Sequence, residues 1–392
     1  MLISTGFREI IGNAYNSIYH FPGIPILYNS KKKQFECHKK ATKAAGFIFL
    51  GAMGILLALE YLFSTVHKSP NFKVMELFWV FSFFALSHMN WNLYSESWDI
   101  VALHNSFINM ETRMVQAGYR CPLDHLTKVT KLACSFLMRP IPFLALCWGI
   151  GSAFLPCQPI NFLFIFMPNS YCSVSMSQTI WLTTILKWAI ISVMSVLNGM
   201  IFYTSTGTGI CYIVQIVTGV MCIRCNIKVF GILSQDQNKA SDMLIKFYRE
   251  IQILTGKFNS IHRALLLHIM EAITLAQILL IYICICSGIS SGSGPSIPLF
   301  ALLVCGILSL QTVAVVLVTY GLGSEPHSCS AKVLQDLKKI NGIASRIVGR
   351  RFIASCPMLK VQIGSMNFIE KNTSLKIEAF CTGRIVDLLL LQ

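Results

Sequence analysis

Charged side chains set inside apolar sequence are where this chain has chemistry to offer. Arg139 and Glu271 each stand seven residues inside one end of a long hydrophobic run. At about 1.5 Å of rise per helical residue, both would lie about 10 Å deep in a bilayer, where an isolated charge costs about 2.5–3.5 kcal/mol. An intramembrane Arg139–Glu271 pair would relieve most of that cost, and snorkelling of Arg139 or a watery cavity would serve the same end. Arg384 and Asp387 are three apart, hence on one helix face. Two readings stay open for them. They form a mutual pair that lets a short span insert, or they line a wet pore in which Asp387 favours cations and Gln392 adds to the outer mouth.

Fifteen cysteines suggest disulfides until they are placed along the chain. Most fall in apolar or strongly basic stretches, where they serve as small apolar residues. Cys157 and Cys172 share one loop expected outside the membrane, and closing it would contribute about 3 kcal/mol. Cys222-Ile-Arg-Cys225 is a lone pair of thiols without a second ligand pair, which argues against a metal. Glycine-rich phosphate loops, HExxH and GxSxG are absent. Neither an enzyme nor a cofactor is expected.

The elements that must position these residues follow from composition. Charged residues make up 12% of the 392 and AVILMFWYC 54%, against roughly 25% charged in an average soluble protein; the mean hydropathy is +0.61. A soluble globule so composed could not cover its surface. About 20 apolar residues cross a bilayer, and six segments qualify: 44–66, 74–94, 132–154, one within 179–222, 264–287 and 297–320. A seventh, 375–391, is interrupted by Lys376, Glu378, Arg384 and Asp387. Residues 1–43 lack a signal-peptide core, so 44–66 is expected to act as a retained anchor.

Orientation follows from Lys and Arg. Of the 32, 26 fall in residues 1–43, 95–131, 223–263 and 321–374, while the alternate loops 155–178 and 288–296 hold none. This alternation predicts a multi-pass membrane protein with a cytosolic N-terminus and an extracellular C-terminus. The net charge of +15 is then a topological signal and not an affinity for nucleic acid. Residues 179–222 are long enough for a hairpin around Ser205-Thr-Gly-Thr-Gly209, but two crossings would export fifteen basic residues; a single helix projecting past the bilayer is preferred.

Beneath the membrane, Leu244, Phe247, Tyr248, Ile251, Leu254 and Phe258 recur at helical spacing, as do Val333, Leu334, Leu337, Ile340 and Ile347 in 331–351. Packing these two helices on each other would bury both stripes, and a helix lying among lipid headgroups is the alternative. His88, Asn90 and Asn92, near the inner end of the second span, suit interhelical hydrogen bonds.

Seven spans with an inward N-terminus invert the arrangement of G-protein-coupled receptors, and the chain resembles the insect-type chemoreceptor superfamily, its gustatory-receptor branch in particular. Tyr248-Arg-Glu-Ile-Gln-Ile-Leu-Thr-Gly-Lys-Phe-Asn259 is similar to the family's cytosolic helix ending in Phe-Asn. Cys356-Pro-Met-Leu-Lys-Val-Gln-Ile-Gly364, continuing to Asp387-Leu-Leu-Leu-Leu391, is similar to the lead-in and seventh span of divergent members. The family's Thr-Tyr near the end is replaced by Ile385-Val386, and the Phe that follows its Gln is missing.

The resemblance implies a homo- or heterotetramer of related subunits acting as a ligand-gated cation channel. It divides the chain into a cytosolic segment 1–43, helices one to six over 44–322 with an extension at about 241–258, and an anchor helix with the pore-lining seventh helix over 323–392. A tastant or odorant would bind in the outer half of the bundle, where Trp79, Phe83, Trp148, Trp188 and Tyr282 stand with Phe143 near mid-depth; aromatics suit small organic molecules and also an interfacial belt. The competing classes are a G-protein-coupled receptor and a secondary transporter. The first would place the N-terminus outside, and the second would carry an internal repeat, which the sequence lacks. A glycosylation sequon inserted beside Lys239 is expected to stay unmodified when the chain is expressed through the endoplasmic reticulum; a glycosylated product on a gel would overturn this topology.

Overall fold

The computed structural model describes residues 25–38, 70–118, 125–139, 141–154, 181–235, 241–289, 299–339, 347–365 and 367–390, with a few positions before residue 56 such as Tyr15. Helices dominate. After a hairpin of β1 (Ile26–Asn29) and β2 (Gln34–Cys37) come α1 (Pro70–Ser95), α2 (Ser97–Gln116), α3 (His125–Met138) and α4 (Ile141–Phe154). Two very long helices follow, α5 (Trp181–Gln235) and α6 (Ser241–Ile289), then α7 (Leu299–Gly323), α8 (Glu325–Lys339) and α9 (Ile347–Ser355). A second small hairpin, β3 (Gln362–Ile363) with β4 (Asn367–Phe368), leads into α10 (Thr373–Leu390).

Helix α5 is unbroken over 55 residues, about 80 Å at the helical rise and far more than a bilayer's thickness of roughly 30 Å. No hairpin forms at 205–209. Residues 207–221 are buried at every position, so this part of α5 is the axis on which the other helices pack. The third expected span is divided between α3, which ends at Met138 with Arg139 in a turn, and α4, which begins at Ile141. Near one end, α4 and α5 approach through small residues. A Cβ added to Gly149 would stand 3.1 Å from the Ser195 carbonyl oxygen, and one on Gly199 would stand 3.1 Å from that of Ala145. Ala145–Gly149 and Ser195–Gly199 thus form facing small-xxx-small pairs, as membrane helices use when lipid offers no hydrophobic drive.

The four basic segments gather at the other end. Arg224 of α5, 5% exposed, meets Glu325 of α8 at 3.1 Å; Arg113 of α2 pairs with Glu250 of α6, and Lys257 with Asp99 at 3.6 Å. The Asn105 side chain pairs with the edge of β2, accepting from the Phe35 amide and donating to its carbonyl, both at 3.0 Å. Within that hairpin Glu36 accepts from Lys32 and Asn29, which holds its carboxyl below the ordinary range. Asn259 repeats the device, donating to the Lys360 carbonyl at 2.8 Å and accepting from the Gln362 amide at 3.1 Å. The Tyr248 hydroxyl donates to the Pro357 carbonyl at 2.7 Å. Both stretches that carried the family resemblance therefore bind each other.

The first amphipathic stripe is buried, and of the second Leu334 and Leu337 are buried and Val333 partly so, while Ile340 and the Ile347 side chain lie outside the described residues. Leu244, Phe247, Tyr248, Ile251, Leu254 and Phe258 are all inside, with Phe247 and Tyr248 against Phe230 of α5 at 6.1 and 5.2 Å between ring centroids. The expected helix over 331–351 is two helices, α8 and α9, and α8 lies chiefly along α5. The two stripes share α5 as their partner instead of facing each other, because α5 is apolar enough on several sides to offer both a surface. Tyr248 reaches across to Phe352 of α9, 6.2 Å between centroids.

His104, on α2 at this end, is buried against Phe35 with centroids 5.5 Å apart, and its Nε2 has no partner among the described residues. Burial pushes it down to about 4, from an ordinary value near 6.5. The neutral ring is the folded form. Its contribution is complete above about pH 6.5 and is lost as pH falls from there through 4. The melting temperature of the purified chain is expected to decline across that window, and to decline less steeply in His104→Phe.

Candidate functional site

Where the bundle passes from its basic end into the apolar part, α1, α3, α5, α6 and α7 surround a cavity of about 500 Å³. The wall is mostly hydrocarbon: Phe81, Phe84 and Met89 of α1, Ile210 and Ile213 of α5, and Ile269 of α6. Helical periodicity brings α1 residues 81, 84, 85 and 88 to this side, while Phe83 turns into the packed interior at 9% exposure. Gly209 leaves the α5 wall open beside Leu86 and Met89.

Against this apolar surface stand a few polar groups. His268 and Glu271, three apart on α6, meet at 3.4 Å between Nδ1 and Oε2. The His268 ring sits edge-on to His88 of α1, 4.8 Å between centroids. Across from them α7 presents Gln311, 5% exposed, whose Nε2 is buried with no partner among the described residues. Thr312 satisfies itself by donating to the Ser309 carbonyl at 2.7 Å.

This corrects several expectations. Glu271 takes His268 as its neighbour, and among the described residues no ion pair joins it to Arg139, which sits exposed at the break between α3 and α4. That break carries Arg139 out of a continuous span, which the spacing argument had assumed. Asn90 and Asn92 bond back to the carbonyls of Leu86 and His88, 2.9 and 3.0 Å away in their own helix. Of the three residues expected to link helices there, His88 does so, through its ring.

The four expected pocket aromatics with described side chains do not line the cavity. Phe83 and Tyr282 are buried, Phe143 and Trp188 are exposed at 59% and 54%, and the side chains of Trp79 and Trp148 lie outside the described residues. Cys157, Cys172 and Gln392 lie outside them too. Arg384 and Asp387 form the i,i+3 pair, 2.9 Å from Nη1 to Oδ2, on the exposed face of α10, with Arg384 also 5.1 Å from the Phe380 ring.

The seventh span is seated by a contact that spacing alone did not suggest. Gln277 of α6 donates to the Glu378 carboxylate of α10 at 2.6 Å, with both groups largely enclosed. Gln277 lies on the helix that carries Glu271, six residues further on. The available signal was a glutamine in an apolar span and a glutamate in the last one, each needing a partner in lipid. Ile377, Cys381 and Ile385 bury one face of α10, while Leu375, Phe380, Val386 and Leu390 leave the other exposed.

No family model matches the chain, and no curated protein does. Among solved structures it is similar to the insect olfactory receptor OR5 of Machilis hrabei in complex with eugenol, with a TM-score of 0.66 at 9% identity over 98% of each chain. A second structure of that receptor gives 0.63 at 11% identity, over 98% of this chain and 97% of that one. At such identities the likeness is one of fold. The chain adopts the all-α, seven-transmembrane fold class expected from its sequence, and that is the architecture of an olfactory receptor.

Replacing Gln277 by Leu removes the donor from an enclosed carboxylate and is expected to destabilise the chain by about 1–3 kcal/mol. Adding Glu378→Leu should recover much of the loss. Thermal unfolding of the two single variants and the double variant in detergent checks it, and additive losses would contradict the contact.

Proposed function

We propose that the chain is a subunit of a chemosensory, gustatory-type ligand-gated cation channel in the plasma membrane. The observation that carries the reading is the likeness of fold to an olfactory receptor along 98% of both chains, which extends from the hairpin at the basic end to the last helix. One of those structures holds eugenol, a small organic molecule, so the fold is compatible with small-molecule recognition.

In this reading the basic end is cytosolic and joins related subunits into a homo- or heterotetramer. Helix α10 lines the central pore. Its exposed face, with Arg384 and Asp387, is where a single protomer leaves charge and apolar surface together, and a four-fold arrangement would enclose that face around water. Asp387 supplies the negative charge that favours cations, and Gln392 extends the lining. The tastant or odorant binds in the outer half, among Trp79, Phe83, Phe143, Trp148, Trp188 and Tyr282. Its binding energy acts on the pore by favouring the open packing of α10 on α6.

Oocytes expressing the chain, alone and with a related subunit, are expected to carry ligand-evoked cation currents when sugars, bitter compounds and amino acids are screened under voltage clamp. Asp387→Asn should lower the preference for cations, seen as a shift of reversal potential in a salt gradient. Unchanged selectivity and conductance in that variant would remove α10 as the pore helix.

A further inference from the structure

The cavity near the basic end holds a carboxylate that the proposed channel does not use. Among the described lining residues Glu271 is the only acid, and there is no Lys or Arg. Its neighbour His268 stands at 3.4 Å, longer than a charge-assisted bond of about 2.7–2.9 Å. The His268 ring is meanwhile seated against His88. The Glu271 side chain is 61% exposed and so open to a ligand. A carboxylate within an apolar span carries an insertion cost of about 2.5–3.5 kcal/mol, and among the described residues His268 is the one basic side chain set against it.

A second polar group has no partner among the described residues. Gln311 is 95% enclosed and its Nε2 donor has no partner among the described residues, on the wall contributed by a different helix. The cavity thus presents a negatively charged acceptor and an unpartnered amide donor, with two imidazoles, a few hydroxyls and a largely hydrocarbon wall between them. Phe81 and Phe84 are 48% and 42% exposed and offer ring surface on the α1 side. A volume of about 500 Å³ falls within the roughly 300–1,000 Å³ of small-molecule sites.

We infer that this cavity is a binding site for a lipophilic amine. The ammonium group sits against Glu271, an oxygen acceptor of the ligand takes the Gln311 donor, and an apolar or aromatic body lies along α1 and α5. An anion would be repelled by Glu271, and a fully apolar ligand would leave the Gln311 donor unpartnered. A metal ion does not suit the site: His88 and His268 meet edge to face, and the described residues contain no cluster of three metal-ligating side chains. The site lies in the half of the bundle nearer the basic end and shares no residue with the outer aromatics. It stands independently of the channel reading.

The test is a binding measurement without a current. The purified full chain in phosphatidylcholine nanodiscs is irradiated with 3-phenylpropylamine carrying a ring diazirine, or with the corresponding alcohol, and adducts are mapped by mass spectrometry. The amine is expected to label residues 265–276 and 308–315, and unlabelled 3-phenylpropylamine should compete at least about tenfold better than 3-phenylpropan-1-ol, as one charge-assisted contact allows. Glu271→Gln should lower amine labelling by about tenfold and leave labelling by the alcohol unchanged. Should that variant not fold, the wild-type map and competition decide alone. Equal competition by amine and alcohol, or adducts confined to other segments, would overturn the inference. A chain that labels as expected yet passes no current would keep this site and lose the channel reading.

Discussion

A helix that is apolar on every side has to be surrounded, and the middle of α5 is such a helix. Residues 207–221 are buried without exception, a state that no single neighbour can produce. Helices α1, α3, α6 and α7 close around this stretch, and α8 covers its continuation toward Gln235. The cavity lies beside this stretch, next to Gly209, where the missing side chain lets Leu86 and Met89 of α1 come close to α5, and among the small side chains of Ala85, Ala272 and Ala276. The central packing therefore positions both the polar groups and the space they face.

The two ends of the bundle are held by different physics. In the apolar end α4 and α5 approach over glycine, where close backbone contact and dispersion substitute for a hydrophobic drive. At the basic end the contacts are ion pairs and side-chain amides bonded to strand edges, as in a soluble protein. Asn105 and Asn259 each satisfy both backbone groups on the edge of a short hairpin, which lets two-stranded ribbons persist that would be marginal alone. The partly enclosed Arg224–Glu325 pair links the axis helix to the segment leading toward α10. Such a pair constrains geometry more than it adds net stability. Helix α10 in turn hangs between this end and the apolar core through Gln277 and Glu378, so it is tied to the same helix that carries Glu271.

Much of the architecture was legible in residue order. Apolar run lengths marked α1, α7 and α10 to within a few residues, and the end though not the start of α6, since a bilayer imposes a minimum length and α-helix is the local solution in lipid. The distribution of Lys and Arg anticipated which segments gather at one end, because moving a charge across hydrocarbon is expensive whatever the fold. The stripe from Leu244 to Phe258 revealed a buried face, though not its partner. Periodicity tells that a face must be covered and is silent on what covers it. Here α5 covers both stripes.

The site was less legible, for a related reason. Spacing from a span boundary suggested that Arg139 and Glu271 were at equal depth, but depth is one coordinate of three, and the break between α3 and α4 changed even that. The aromatics singled out by type divide into buried packing, as at Phe83, and exposed surface, as at Trp188. Phe81 and Phe84, two residues before and one after Phe83, face the cavity instead. Composition and order by themselves determined that this is an all-helical membrane protein with one strongly basic end, because transfer free energies add residue by residue. Only the tertiary structure decided that α5 is the common partner, that Glu271 and Gln311 face one cavity, and that Gln277 meets Glu378. Those are contacts between residues distant in sequence, selected by mutual packing that no local pattern encodes.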